Sequence, residues 1–531
     1  MTRADMWPAS GYRPSVLTRN RIIVAILSGA SLAATSPPLN LWWFHWVVFV
    51  PLLLVMEPGN RRGNMRLAYL CGVAALCTNF SWLAETILIY SNIPMPLAIV
   101  AVLLYGIVFG LPWAFGFSAA PALRNRYGSW WIAILPAWIV VLEFYVWSLF
   151  PWYHGSTQYR ALPIVQVSSI TGVLGVSWLI LMFNCALAEC GLRKRESRAL
   201  PRIPLGIAVG LALANALFGA WRIQRIEQET ASWPTVKITQ VQHEIRMKER
   251  MQKSAVETLR DWKLLSDRLM DEEVDLVVWS EGSILHDPRP SSAYRIRGFL
   301  QNVTRNLNAP LLLGAGYAER RVDPDTGRKY REYRNSVYYI GLDGEIQQRY
   351  DKMVPLPFGE YIPLADTFPI LKEWIKGPGD FEPGAEPVVF EGPGFTFTVP
   401  ICYEAILGSF MREQLADADL IINVTNDGWF GTTLAPHQHA MLTVNRAVEL
   451  GIPLYRVAYT GVSMSVDPTG KIHAETKPYE EVARVVDVKP GRIDTPYRRL
   501  GDWFPALCAF ISLGAGLGLR RRSVTPDTHS A

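Results

Sequence analysis

Apolar and polar positions divide this chain into a greasy front, a long polar middle and a greasy end. Seven apolar runs precede residue 223, at roughly 22–36, 39–56, 67–90, 96–122, 129–150, 164–190 and 203–221, and an eighth covers about 503–519. Most reach the ~20 residues needed to cross the hydrocarbon core of a bilayer. The first is short and ends in Ser31-Leu32-Ala33-Ala34, the form of a cleaved signal peptide. Because the second run begins almost at once and more follow, it reads as a span.

The polar middle has a different rhythm. Short β-rich runs recur at Val236–Val241, Leu276–Trp279, Leu311–Leu313, Ser336–Ile340, Phe395–Val399 and Leu420–Val424. Leu342-Asp343-Gly344-Glu345 lies between two such runs and predicts a hairpin turn. Stretches rich in Glu, Lys, Arg and Leu, such as 248–271 and 436–449, predict helices. The segment reads as one α/β domain, and the tail Ser523–Ala531 as disordered.

Composition agrees with this division. Half of the 531 residues are apolar, only 19% are charged and 19 are Trp, a balance that calls for membrane spans. The formal charge of +5 is small. Its basic residues gather between apolar runs rather than on one folded face, which sets nucleic-acid binding aside. Their placement gives orientation. Arg13, Arg19 and Arg21 precede the first run, Arg61, Arg62 and Arg66 follow the second, and Arg124 and Arg126 follow the fourth. Arg193, Lys194, Arg195, Arg198 and Arg202 follow the sixth, and Arg520, Arg521 and Arg522 the eighth. The loops between the first and second runs and between the third and fourth carry no Lys or Arg, and only Arg160 marks the loop after the fifth. By the positive-inside rule the chain crosses eight times with both termini cytoplasmic. Residues 1–222 then form a seven-helix membrane domain, 223–500 an external domain (periplasmic in a Gram-negative cell), and 501–531 an eighth helix with a cytoplasmic tail.

Five of the six cysteines, Cys71, Cys77, Cys185, Cys190 and Cys508, fall inside apolar runs, where a thiol behaves as a small hydrophobe. Cys402 is alone in the polar segment, so no disulfide framework or cysteine metal cluster is available there. It closes the run Phe395–Ile401, and a strand that turns sharply into a Cys is how an exposed nucleophile is built, with backbone N–H groups near a developing oxyanion. Two other patterns place an ionisable group just past a strand. Asp275–Trp279 leads to Ser280-Glu281, where partial desolvation can tune a carboxylate for general-base work. Arg349-Tyr350-Asp351-Lys352 leads to Pro357-Phe358-Gly359-Glu360-Tyr361, and a Lys beside a thiol lowers its pKa or steadies an oxyanion.

Together these patterns resemble the carbon–nitrogen hydrolase (nitrilase) superfamily, whose Glu–Lys–Cys triad occurs in this chain order. Set between seven spans and an eighth, the domain is similar to the apolipoprotein N-acyltransferase family. Phe150-Pro151-Trp152, Asn423–Gly431, Arg446–Glu449 and Thr460–Ser463 are further family-like pieces. The resemblance implies an αββα sandwich, with Glu281 as general base, Lys352 as oxyanion-stabilising cation and Cys402 as nucleophile. Glu360, Tyr403 and Glu404 would support them. It implies a ping-pong reaction: Cys402 takes an acyl chain from a phospholipid as a thioester, and the α-amine of a diacylglyceryl-cysteine at an apolipoprotein's N-terminus attacks it. No metal or organic cofactor is required, and nothing demands more than a monomer.

Segment 353–376, with Phe358, Tyr361 and Trp374, carries too many apolar residues for a free loop and reads as an arm dipping into lipid headgroups. Trp429 and Phe430 either extend that lip or pack inside. His437 and His439 are two apart without a nearby Cys or carboxylate in the sequence, so they read as capping or pocket-lining rather than metal-binding. Three positions depart from the family pattern: Ser280 in place of Pro, Tyr459 in place of Asn, and His243 in a stretch that usually holds a Trp. Two other readings stay open. The same triad could hydrolyse amides with water as acceptor, or the bundle could transport a solute using Glu85, Glu143 or Glu189, which look unpaired in the sequence.

Overall fold

The computed structural model describes residues 18–90, 93–322, 327–365, 367, 368, 370, 380–414 and 418–523. Arg13, Leu371, Trp374, Ile375 and the tail after Ser523 lie outside the described residues. By length and composition three helical stretches can cross a membrane: Met95–Tyr145, Val173–Arg195 and Arg202–Thr230. The pair Arg61–Asn79 and Leu83–Ile89, bent by 48°, makes a fourth if counted as one span. Trp42–Val55, Leu162–Thr171 and Trp503–Leu519 are apolar but shorter. The count of eight predicted spans is therefore met only in part, because several apolar runs break into short pieces. Run 39–56, for example, splits into a 3-10 turn, Trp42–Trp46, and a helix, Val50–Val55, with a proline in its first turn. The stretch Met95–Tyr145 has 51 residues. A straight helix of that length would run ~77 Å, more than twice the ~30 Å hydrocarbon core. It doubles back instead: Phe109, Trp113 and Phe117 face Ile139 and Leu142 across one cavity.

Leu104, Val108, Leu213, Leu217, Phe510 and Leu513 turn large apolar side chains outward, the surface expected where lipid rather than water is the solvent. Glu189, unpaired to the eye in the sequence, accepts hydrogen bonds from Arg124 Nε at 2.6 Å, Arg193 Nε at 2.8 Å and Trp131 Nε1 at 2.9 Å. It is a structural counter-ion held between neighbouring helices.

The polar middle is a two-sheet sandwich. One layer runs β2 (Val277–Val278), β3 (Leu311–Val322), β4 (Lys329–Ile340), β5 (Ile346–Asp351). The pair β1 (Val236–Gln242) and β12 (Val482–Val488) extends it through a parallel bridge from Ile238 to Leu276. The other layer has six strands in the order β11 (Ile472–His473), β10 (Met464–Val466), β9 (Leu454–Ala458), β8 (Leu420–Thr425), β7 (Thr396–Thr398), β6 (Val389–Glu391). Val278, Leu312, Val337 and Tyr339 from the first layer interlock with Phe397, Ile422, Val424 and Tyr455 from the second. The predicted turn at 342–345 joins β4 to β5, with Gly344 at φ 82°. The helix predicted at 248–271 starts later. Ser254 and Glu257 form a capping box that launches Ala255–Asp267, leaving Met247–Arg250 as a separate turn.

The sandwich is bolted to the bundle by helix Ala435–Leu450. Gln438 Nε2 donates to Asn79 O at 3.0 Å, Trp82 Nε1 donates to Gln438 Oε1 at 3.1 Å, and Glu449 Oε1 accepts from Val173 N at 2.8 Å. The N-terminal membrane helix of this joint runs continuously from Arg202 to Thr230, and β1 begins six residues later.

Phe390 and Phe397, both fully buried, stack at 5.1 Å between the layers. Phe397→Ala is expected to destabilise the sandwich by about 3–5 kcal/mol, read from denaturant unfolding of the detergent-solubilised protein followed by Trp fluorescence.

Candidate active site

Glu281, Lys352 and Cys402 each follow a strand end, and the two layers bring those ends together. Glu281 lies three residues past β2, Lys352 immediately past β5, and Cys402 four residues past β7. All three are buried. Lys352 Nζ is 2.7 Å from Glu360 Oε2 and 3.7 Å from Glu281 Oε1. Asn335, inside β4, ties the two carboxylates: its Nδ2 donates to Glu281 Oε1 at 2.7 Å and to Glu360 Oε1 at 2.8 Å. Glu281 Oε2 accepts from Asn426 N at 2.7 Å, and Glu360 Oε2 from Leu356 N at 2.7 Å.

Cys402 sits at φ 52°, a left-handed conformation that costs a Cβ-bearing residue about 1–3 kcal/mol. Here Ile401 is bridged to Val424 of β8, and the chain turns at once into the 3-10 segment Cys402–Ile406. Glu404, wholly buried, fastens that turn. It accepts from Ile401 N at 2.7 Å, Met353 N at 2.7 Å, Val354 N at 3.0 Å and Tyr350 Oη at 2.9 Å. Glu404 therefore links the Cys402 turn to the chain just after Lys352. Tyr403 points the other way, donating to Leu149 O at 2.8 Å in the loop between membrane helices.

The electrostatics follow from burial. Desolvation pushes the Cys402 thiol up, as do Glu281 and Asp427, while Lys352 pulls it down. The thiol is therefore protonated at rest and needs a base. Desolvation and Glu360 raise Glu281, against Lys352 and the Asn335 and Asn426 hydrogen bonds. Burial alone would push Lys352 down, but Glu360, Glu281, Cys402 and Glu404 together hold it up as an ammonium. Glu404 is pushed up to about 7 by burial, opposed by Lys352 and its N–H donors.

Cys402 opens on a narrow cavity whose walls include Trp82, Phe150, Trp152, Leu356, Phe430 and Leu442. Phe80, Phe150 and Trp152 also line a second, larger cavity between the membrane helices. Phe430 is thus buried, edge-on to Trp82 at 5.2 Å, and Trp429 packs partly buried against the sandwich core. Phe358, Tyr361, Leu364, Phe368 and Ile370, along segment 353–376, are exposed apolar side chains.

Sequence reading missed Asn335, whose signal was an Asn in the middle of a strand-like run. It also missed a buried network beside the cavity. His439 has a carboxylate partner after all: its Nδ1 lies 2.7 Å from Asp427 Oδ1, twelve residues away in sequence. Arg456 Nη2 donates to Asp427 Oδ2 at 2.8 Å and Nη1 to Asn423 Oδ1 at 2.5 Å. At the departures from the family pattern, His243 stands edge-on to Trp262 at 4.4 Å and Tyr459 packs against both.

Residues 28–186 match the apolipoprotein N-acyltransferase N-terminal domain and residues 237–496 match the carbon–nitrogen hydrolase family. The chain is 30% identical to the apolipoprotein N-acyltransferase of Geobacter metallireducens over 96% of its own length and 97% of that protein. It is 26% identical to the Haemophilus ducreyi enzyme of the same name, covering 96% and 98% of the two chains, and 28% identical to that of Vibrio cholerae, covering 89% and 92%. Among solved structures, an amidase from Nesterenkonia sp. AN1 aligns with 50% of this chain and 93% of its own, at 20% identity and a TM-score of 0.37.

Burial would raise Asp427, but Arg456 and His439 hold it at about 2, below its ordinary value of 3.8. A carboxylate depressed on folding stabilises above its unfolded value and loses that contribution as pH falls through its folded one. Between about pH 4 and pH 2 the protein should therefore lose on the order of 2 kcal/mol from this group. Asp427→Asn should remove that acid dependence while costing about 3–5 kcal/mol at neutral pH, because Arg456 is left buried without its counter-ion. Unfolding midpoints across pH for both proteins check this.

Proposed function

This chain belongs to the apolipoprotein N-acyltransferase family, and from that membership we propose how its own residues move an acyl chain from a membrane phospholipid to an apolipoprotein. Cys402 attacks the ester carbonyl of the phospholipid while Glu281 takes the thiol proton. The Lys352 ammonium faces the oxygen that becomes negative in the tetrahedral intermediate. Collapse breaks the ester C–O bond, Glu281 returns its proton to the glycerol oxygen, and a lysophospholipid leaves. In the second half the α-amine of the apolipoprotein's diacylglyceryl-cysteine attacks the thioester. Glu281 takes the amine's proton and hands it to the departing sulfur, regenerating the thiol and leaving an amide. Glu360 fixes Lys352, Glu404 fixes the turn carrying Cys402, and Tyr403 anchors that turn to the membrane part. Neither half calls for a metal or an organic cofactor.

One observation carries this reading: the cavity at Cys402 has one wall from the sandwich, with Phe430 and Leu442, and another from the bundle, with Phe80, Trp82, Phe150 and Trp152. An apolar cavity at that seam suits an acyl chain drawn from the bilayer. The acyltransferase relatives favour neither hydrolysis nor transport. Both substrates are anchored in one leaflet, so holding Cys402 at its surface raises their effective concentration.

We place the sandwich outside the cytoplasmic membrane of a bacterium, on the periplasmic side, with eight crossings and both termini inside. The distribution of Arg and Lys among the loops supports this. Helix Arg19–Ala30 and the 3-10 turn after it together reach ~28 Å, enough for a crossing. Phe358, Tyr361, Trp374 and their apolar neighbours would form the arm that meets lipid headgroups. The enzyme is proposed to work as a monomer.

Incubating the purified enzyme with acyl-labelled phospholipid should give a hydroxylamine-sensitive adduct on Cys402, absent in Cys402→Ala and slowed by at least about 100-fold in Glu281→Gln. No adduct on the unmodified enzyme would end this proposal. A diacylated lipopeptide should discharge the label faster than water does; equal rates would favour the hydrolase. A reporter fused near residue 300 should report an external location.

A further inference from the structure

Near Glu281 lies a second cation that the proposed reaction does not use. Arg250 closes the short turn Met247–Arg250 and is 3% exposed. Its guanidinium lies over the Tyr459 ring at 4.3 Å, and its Nη1 touches Met247 Sδ at 4.0 Å. Nε and Nη2 have no hydrogen-bond partner among the described residues. A buried guanidinium without a counter-ion is costly. Glu281, an acid within electrostatic reach, already accepts from Asn335 and Asn426.

Which atoms are free matters. Nε and Nη2 form the side of the guanidinium that grips a phosphate or carboxylate with two parallel N–H bonds. Gly282, at φ +58°, lies beside them: a Cβ built on it would meet Arg250 Nη2 at 3.9 Å. On the same Tyr459 ring packs His243, 2% exposed, with an unpartnered Nε2 and its ring at 5.6 Å. Lys253 and Arg268 lie within electrostatic reach of His243, each already paired with a carboxylate, Asp261 and Glu481 respectively. Two buried side chains with unpartnered nitrogens thus pack on one aromatic ring, near Gly282 and the proposed base.

We propose that Arg250 and His243 form an anion site that binds the phosphate group of the phospholipid donor, steering its ester towards Cys402. The proposal rests on the phospholipid-donor reading above. Tyr459 makes the platform on which the guanidinium stacks, and the phosphate oxygens enter beside Gly282. The turn Met247–Arg250 covers this end of the site, with Met247 packed against Gly428 and Asn426.

The test compares two acyl donors with the full-length enzyme in neutral detergent: dipalmitoyl phosphatidylethanolamine and dipalmitoylglycerol, which lacks phosphate. Single-turnover acylation of Cys402 is measured for each. In Arg250→Gln the ratio of phospholipid to diacylglycerol rates should fall about 10–100-fold, the range expected on losing a charge-assisted hydrogen-bonded pair. Arg250→Lys should lie between, since one point charge replaces a fork. The thermal midpoint of Arg250→Gln should not fall, because a buried cation without a counter-ion is removed. An unchanged ratio overturns the site. Equal slowing of both donors overturns it in favour of a structural role, and a shifted pH profile for both donors in favour of action through Glu281. Inorganic phosphate that slows the unmodified enzyme with the ratio still unchanged in Arg250→Gln would mark a free-anion site instead, and also overturns the proposal. If phospholipid fails to acylate even the unmodified enzyme, it is the donor reading that falls.

Discussion

The buried ion pair between Lys352 and its two carboxylates is the constraint on which the rest of the site depends. An ammonium sunk between two sheets survives only if its charge is answered at close range. Glu360 does this at 2.7 Å and Glu281 at 3.7 Å. Asn335 spans the same two carboxylates and keeps them from turning away. The arrangement has one net negative charge before Cys402 reacts. That balance suits a group that must hold a neutral thiol at rest, accept its proton, and still keep a cation facing the oxygen that turns negative. Removing Lys352 leaves two buried carboxylates unanswered, and removing Glu360 takes away the nearest counter-ion of Lys352, so the stability of the site hangs on that pair.

A second constraint comes from geometry. The strained Cys402 backbone is held in place by Glu404, which gathers four donors from two separate stretches of chain. Two of those donors, Met353 N and Val354 N, follow directly on Lys352. The cation and the thiol therefore cannot drift independently, although fifty residues separate them. Tyr403 and helix Ala435–Leu450 then fix this unit to the membrane bundle.

Much of this was legible in the sequence, for identifiable reasons. The strand ends before Glu281, Lys352 and Cys402 announce themselves through short β-rich runs that stop at an ionisable residue; these gave an α/β domain, and the sandwich came with the family resemblance. Glu360 and Glu404 could be named from motif position, but their partners could not, because backbone N–H groups carry no sequence signal. Asn335 and the pair Asp427–His439 depend on register between distant elements, which spacing along the chain cannot supply. The membrane helices were legible as greasy stretches and less so as rods. Proline and aromatic clusters break several into short pieces, and the hydropathy of a broken span is the same as that of a whole one. The capping box at Ser254 shows the same limit on a smaller scale: four residues moved a helix start and left Arg250 on a turn of its own.

The seam along which the Cys402 cavity is built has a consequence for how the enzyme comes into being. Phe430 and Leu442 belong to one folding unit, Phe150 and Trp152 to another, and neither can make the cavity alone. Freed from the bundle, the outer half would keep every reactive group and have nowhere to seat a chain. The cavity beside Cys402 therefore exists only once both units have assembled.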